Sequence, residues 1–350
     1  MPSATSWTRA SATPDVAGAG TAGTLLPLLL RPRFVRRVWG GGALPALMGE
    51  EALDAAAGED PVGEAWLADG ASVVAQGPLA GATVADLADR HGAELLGTLT
   101  VDRYGPRMAL LVKLLDAAED LSVQVHPDDA YALAREADTG HLGKTEAWYV
   151  LRAAPGAAVL RGFTRDVSRD EVRAAAEDGT LPALMRRVPV RPGDVVVNPA
   201  GTVHAVGAGL LLYEVQQSSD LTYRLFDYGR VDASGRPREL HLDKGLDVAH
   251  LSAAPAELPR PPEAEPGRWR RLVARPEFVL DAVLVRPGAG AAGATTPASC
   301  HVLTVAEGTA RLRAHGQVLE LPTGATALLP AALGAYELSG DGEVLRAAVE

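Results

Sequence analysis

Two segments of the chain bring side chains with ligand chemistry to the ends of strands at fixed spacing. The run LSVQVHPDD, 121–129, alternates: Leu121, Val123 and Val125 turn to one face, and Ser122, Gln124 and His126 to the other. Three polar groups on one strand face, directly before Pro127, read either as the lining of a pocket or as a solvated face. The run GDVVVNPAGTVH, 193–204, follows the spacing G-x5-P-x-G-x2-H. A strand rises into a Pro/Gly turn, and the turn delivers His204 onto the returning strand. Such a hairpin can carry a metal ligand or a hydrogen-bonded core histidine.

That second spacing is similar to the second metal motif of cupin barrels, a jelly-roll architecture whose ligands sit inside the barrel. The first cupin motif supplies a His-x-His pair and a Glu a few residues later. Here Gln124-x-His126 stands in the pair's place, and the next strand begins with Glu146, after an insertion at 128–143 that reads as a short helix and turn. A Gln oxygen, two His nitrogens and one carboxylate make a mixed N/O set. It suits Zn²⁺ or another divalent first-row ion rather than Ca²⁺, and leaves room for water or substrate oxygens.

The segments KLLDA, LSVQVHPDD, GKTEAWYVL, NPAGTVHAVGAGLLLYEVQQSSDLTYRLFDYGR and RELH resemble, in order, the motifs of type I mannose-6-phosphate isomerases of the shorter bacterial kind. RPRFVRRVWGG and PVGEAWLAD resemble that family's opening strands, so the similarity spans 25–248. The resemblance implies a cupin fold, one zinc per chain, and interconversion of mannose 6-phosphate with fructose 6-phosphate. It implies zinc ligands at Gln124, His126, Glu146 and His204, a catalytic arginine at Arg224, and an acidic neighbour at Asp220. It also puts Lys113 and Lys144 near the substrate, with Ser122 beside them, and makes Lys144 a second catalytic candidate. Two positions stand out. The larger members carry Pro at the position of Thr145, where the shorter members also have Thr, and the Gly-Glu-x-Trp motif ends in Ala68-Asp69 where a Ser is expected.

The chemistry is consistent with these residue types. Aldose–ketose isomerisation moves a proton between adjacent carbons through an enediol(ate), so negative charge grows on two sugar oxygens. A metal acting as Lewis acid and a guanidinium donating hydrogen bonds both answer that charge. Arg does not readily deprotonate, which leaves Lys144, Glu146, Asp220 or metal-bound water to carry the proton. Of 33 basic residues only Lys113, Lys144 and Lys244 are lysines, and two of those three lie inside the motifs.

The whole chain must accommodate that pocket. Its 350 residues, 22% charged and 47% hydrophobic, suggest about two globular domains. The net charge of −11, with no basic run longer than Arg36-Arg37, argues against nucleic acid as a partner and requires any phosphate site to be a local basic pocket. A single cysteine, Cys300, excludes an internal disulfide framework and a Cys-rich zinc site, and fits a cytoplasmic protein. No apolar stretch reaches the length of a membrane span. The arginines at 31–37 follow the apolar run 16–30 instead of preceding it, which is not the order of a signal peptide, so 1–24 reads as a disordered tail. Oligomeric state is not legible.

Dense Pro and Gly punctuation, 25 and 37 residues, suits many short strands, and the fold class is mostly β: two cupin-type jelly-roll barrels, the first with helical insertions. Helices are expected at 83–97, capped by Thr83 with Asp86 three later, at 168–179 behind Ser168, and at 181–187. Strands are expected at 108–115, 121–126, 146–152, 195–198, 203–206 and 210–217, all within a catalytic domain spanning 25–254. A Pro-rich linker, 255–266, precedes a degenerate cupin domain, 267–350, with strands at 278–286, 301–306, 309–314, 318–321, 325–329 and 336–338. Where a second cupin motif would carry its His, that domain reads LLPAALGAYEL. Two rival functions use the same barrel: a metal-dependent dioxygenase, and a non-catalytic sugar-phosphate-binding cupin. Gln124 and the Lys/Arg set disfavour the first, and Arg224 with Lys144 the second.

Overall fold

Side-chain alternation places the apolar residues of the strands on two sets of faces, and three sheets result. The computed structural model describes residues 25–49, 60–231, 235–255 and 257–350; the tail expected at 1–24 lies outside them. A six-stranded antiparallel sheet runs in the order Val195–Asn198, Glu146–Ala153, Leu210–Gln217, Leu110–Ala117, Val62–Ala68 and Arg33–Arg36. A five-stranded sheet has Tyr223–Phe226, Val123–Val125, His204–Val206, Ala158–Phe163 and Met185–Pro189 in sequence. The third sheet, of nine strands, is built mainly from the long C-terminal strands His301–Ala314 and Ala335–Ala348 and their neighbours.

The six-stranded sheet is the middle layer. On one face Leu115, Trp148, Val150 and Leu212 meet Val159, Val188 and Val206 of the five-stranded sheet. On the other, Val112, Leu114, Tyr149, Tyr213 and Val215 meet Phe278, Leu280, Val302 and Leu345 of the nine-stranded sheet. Strands Leu110–Ala117 and Leu210–Gln217 are therefore buried at every position. Water is excluded from both faces, so a charged residue in such a strand must be paired or functional.

The nine-stranded sheet crosses the chain's expected division at 255–266. Leu28–Arg31 pairs with Thr326–Leu329, so an N-terminal strand completes a C-terminal sheet. The strands expected at 301–306 and 309–314 are one, His301–Ala314, with a register shift between Val305 and Glu307.

Local signals set the helices. Thr83 caps Val84–His91 in a reciprocal box with Asp86, and Ser168 caps Arg169–Glu177 through the Glu171 N–H. The helix expected at 83–97 is broken after His91 and continues as Ala93–Leu96 and then Thr98–Tyr104. Gly97, with φ 90°, marks the second break, where a Cβ would lie 2.2 Å from the Ala298 oxygen of the nine-stranded sheet's region. The helix expected at 181–187 is a single turn, Leu181–Leu184. It gives way to the strand Met185–Pro189, because Ala158–Phe163 offers an edge on which Met185 and Val188 can be buried. No helix among the described residues is long and apolar enough to cross a membrane.

Candidate functional site

The five-stranded sheet lines up Arg224, Gln124 and His204 as cross-strand partners on neighbouring strands, and partners of this kind share a face. His126 lies two residues beyond Gln124 and points the same way. Glu146 opens its strand in the facing six-stranded sheet. Of these, His126 and His204 are 1% exposed and Glu146 is fully buried.

Each histidine is fixed from behind. His126 Nδ1 donates to the Leu221 carbonyl at 2.9 Å, and His204 Nδ1 to the Thr202 carbonyl at 2.8 Å. A carbonyl only accepts, so both Nδ1 atoms carry the proton and both Nε2 atoms present lone pairs. Those lone pairs face one carboxylate: His126 Nε2 lies 3.3 Å from Glu146 Oε2, and His204 Nε2 lies 3.1 Å from Glu146 Oε1. Glu146 Oε1 has no hydrogen-bond donor. Gln124 Nε2 lies 3.3 Å from His204 Nε2, and a half-turn of the amide brings Oε1 to the same point.

Acceptors converging in a dry interior repel one another unless positive charge answers them. Lys144 answers Glu146 Oε2 and His126 Nε2, and leaves Glu146 Oε1 without a donor 3.1 Å from His204 Nε2. Burial, with the Lys144 charge adding to it, pushes the His126 pKa down to about 3 and keeps the ring in its neutral, ligating form. Burial works against the Glu146 charge, yet the Lys144 ammonium beside it outweighs burial and holds the carboxyl well below the usual range. The three residues offer ligand atoms within 4.8 Å of one another. Two imidazoles oriented by backbone carbonyls, one carboxylate and an amide within reach form a donor set that fits a divalent first-row ion.

Lys144 donates from Nζ to Glu146 Oε2 at 2.8 Å and to His126 Nε2 at 3.1 Å. Burial lowers its pKa, but Glu146, Glu214 and Asp220 more than compensate, so the group stays an ammonium. It also lines a cavity of about 500 Å³ together with Lys113, Ser122, Gln124, Asp220 and Arg224. The nine residues singled out in the sequence thus gather in one place: six line the cavity, and His126, Glu146 and His204 adjoin it through Lys144 and Gln124. Arg224 donates from Nη1 to the Glu239 carbonyl at 3.0 Å, while its buried Nε has no partner. Burial, reinforced by Arg238, lowers its pKa.

Further charged and aromatic residues of the cavity were given no role in the sequence reading, although Glu64 and Trp66 lie in the Gly-Glu-x-Trp motif. Glu64 accepts from Arg37 Nε at 2.7 Å and from Trp66 Nε1 at 2.6 Å, and the Trp66 ring lies 4.8 Å beneath Lys113 Nζ. Glu214 accepts from Trp148 Nε1 at 2.9 Å and stands 3.4 Å from Lys113 Nζ. Burial raises its pKa, and the neighbouring Glu146 charge adds to the effect. A signal existed: Glu214 interrupts an otherwise apolar strand and sits directly opposite Lys113 in the register.

Comparison with known proteins gives consistent matches along most of the chain. The sequence profile for the catalytic domain of type I phosphomannose isomerases matches residues 28–146, and that for the mannose-6-phosphate isomerase cupin domain matches 289–349. Mannose-6-phosphate isomerase ManA of Bacillus subtilis (strain 168) is 36% identical over 335 residues, covering 92% of this chain and 98% of its own. Mannose-6-phosphate isomerase of Streptococcus mutans serotype c is 33% identical over 323 residues, covering 91% and 97%. The crystal structure of the mannose 6-phosphate isomerase from Bacillus subtilis superposes with a TM-score of 0.80 at 31% identity, covering 92% and 99% of the two chains. A zinc-bound mannose 6-phosphate isomerase shares the fold, with a TM-score of 0.74 at 18% identity and coverage of 92% and 99%.

Proposed function

The chain belongs to the type I phosphomannose isomerase family, with a mostly β, cupin-domain fold, and from that premise we propose that it interconverts mannose 6-phosphate and fructose 6-phosphate at the cavity beside His126, Glu146 and His204. The observation that carries this reading is the convergence of two imidazole Nε2 atoms on the two oxygens of one buried carboxylate, of which Oε1 has no donor. His126, Glu146, His204 and Gln124 hold one zinc, or another first-row divalent ion. When bound, the metal supplies Lewis-acid polarisation of the sugar's carbonyl and hydroxyl oxygens.

The protein's own groups do the rest. Arg224 extends its guanidinium toward the cavity and donates hydrogen bonds to sugar oxygens as enediolate charge develops on them. Lys144 is the second catalytic group, an ammonium set between ligands and cavity. The proton moves between the two sugar carbons by way of a group in the Lys144, Glu146 and Asp220 set. Lys113, Ser122 and Asp220 bind the sugar phosphate, whose charge is answered locally by the cationic side chains of the cavity in an otherwise acidic protein. We assign residues 25–254 to a catalytic cupin barrel with helical insertions, 255–266 to a linker, and 267–350 to a degenerate second barrel. The single cysteine and a sugar-phosphate substrate suit the cytoplasm.

A coupled assay that follows fructose 6-phosphate formed from mannose 6-phosphate tests the reading. Turnover is expected from purified, zinc-loaded protein. Binding of the sugar phosphate without turnover would make the chain a sensor, and the catalytic reading would fall.

A further inference from the structure

Thr145 stands between Lys144 and Glu146, so strand alternation turns it away from the cavity, toward the C-terminal region. It is 1% exposed. Its main chain is clamped by Gln217, whose Oε1 accepts from Thr145 N at 2.9 Å and whose N–H donates to Thr145 O at 3.1 Å. Its hydroxyl makes two further bonds. Oγ1 donates to Glu277 Oε1 at 3.1 Å and accepts from Ala200 N at 3.3 Å. Ala200 belongs to the Pro199–Gly201 turn that delivers His204, and Gly201 N is bonded to the His126 carbonyl at 2.8 Å. One hydroxyl therefore ties the segment bearing Glu146 to the turn bearing His204, and Glu277 orients that hydroxyl from 132 residues away in sequence. A hydroxyl whose proton is drawn to a carboxylate must aim a lone pair elsewhere, and here the lone pair meets Ala200 N–H.

We propose that Glu277 is a positioning residue for the metal centre, acting through Thr145 to hold Glu146, Lys144 and the His204 turn in mutual register. The C-terminal region would then contribute to the site directly instead of only covering a sheet. This rests on the reading of His126, Glu146 and His204 as metal ligands.

The test is zinc affinity, measured by competition with a chromophoric chelator, which needs no substrate. Glu277→Ala and Thr145→Val are each expected to weaken zinc binding roughly 10- to 100-fold, the usual scale for partners of metal ligands. The double variant should be no weaker than the more affected single, because both break one path. Glu277→Gln and Thr145→Ser retain an acceptor and a hydroxyl and should stay close to the parent. Glu343→Ala is the control: it removes an interface bond of the same kind, Tyr149 hydroxyl to Glu343 at 2.8 Å, three residues along the strand from Glu146. It should lower Tm and leave zinc affinity alone. The proposal is overturned if folded Glu277→Ala holds zinc as the parent does, or if Glu343→Ala loosens zinc equally. A folded parent that fails to bind zinc overturns the ligand reading itself.

Discussion

His204 and His301 each begin a strand, each is buried, and each uses Nδ1 in a hydrogen bond, yet their surroundings differ in kind. Around His204 the Nδ1 bonds run outward to backbone carbonyls, and two Nε2 lone pairs face one carboxylate, whose Oε2 accepts from Lys144 while Oε1 has no donor. Around His301 the polar groups answer one another. Nδ1 shares a hydrogen bond with the Tyr336 hydroxyl at 3.1 Å, and Arg346 Nη1 reaches that hydroxyl at 3.4 Å. Arg346 Nη2 also donates to Asp281 at 2.8 Å while its guanidinium lies 4.2 Å over Trp269, and Arg271 Nε serves the other Asp281 oxygen at 2.5 Å. Both regions bury histidine and charge. One closes its hydrogen-bond network on itself, and the other leaves a carboxylate oxygen unanswered beside an imidazole lone pair. Polar burial alone is therefore no sign of a site; unanswered acceptors pointing at a common point are.

The strongest break of this contrast is removal of a ligand. His204→Ala is expected to lose metal and activity together, because three ligands cannot retain the ion as four do. His301→Gln should keep both. Chelation should abolish parent activity and zinc, cobalt or manganese should restore it. Metal analysis should find about one tightly held ion per chain; a second stoichiometric ion surviving His204→Ala would erase the distinction drawn here. Arg224→Ala sharpens it from the substrate side. No ligand is removed, so metal content should be unchanged, while kcat falls roughly 10²- to 10³-fold, the scale for losing one donor to developing oxyanion charge. Arg224→Lys should recover little, since a point charge cannot reproduce a planar fork. Parent-like kcat in Arg224→Ala would reduce its strand to scaffolding.

What the sequence disclosed divides along the same physical line. The convergence of Gln124, His126, Glu146 and His204 was legible because its signals are local: alternation and a Pro/Gly turn set the direction of each side chain within a few residues. The caps at Thr83 and Ser168 were legible for the same reason. Glu214 was missed although it interrupts an apolar run, because nothing local says that such an acid answers Lys113 across the sheet. Met185–Pro189 reads as the end of a helix until the free edge of Ala158–Phe163 takes it. The entry of Leu28–Arg31 into a sheet of C-terminal strands spans nearly the whole chain and leaves no local trace. The Thr145–Glu277 bond is hidden in the same way.

The C-terminal network should break through stability instead of activity. Asp281, 2% exposed, is the single carboxylate serving both Arg271 and Arg346. Asp281→Ala leaves the Arg346 guanidinium without its anion, while Arg271 keeps Glu350 at 2.9 Å. Arg346 is largely buried and Arg271 partly open to water, which places the cost near the lower end for a broken buried pair, about 3 kcal/mol. Chemical denaturation should show that loss, while zinc content and kcat of the folded fraction stay at parent values. Loss of zinc in this variant would mean that the two polar interiors are not independent.

The smallest effect is a pH dependence carried by His301. Burial, with the Arg346 charge adding to it, pushes its pKa from 6.5 down to about 3. As pH falls through about 6.5 the unfolded ring takes up a proton, while the folded ring stays neutral until about 3. The unfolded state therefore binds more protons within that window, and unfolding free energy falls with pH by up to about 1.4 kcal/mol per pH unit. The stability associated with a neutral His301 is fully present above the window and diminishes on acidification, by roughly 2 kcal/mol at pH 5. Many other groups titrate over the same range, so the measurement is a difference. The unfolding free energies of the parent and His301→Gln are compared at pH 7.5 and pH 5, and whatever packing the glutamine loses is the same at both. The gap between them should shift by roughly 2 kcal/mol in favour of the variant on acidification, because only the parent has a ring to keep unprotonated. A gap that stays constant would mean that His301 gains its proton in the folded state as readily as in the unfolded one. The C-terminal interior would then be open to water, not closed upon itself.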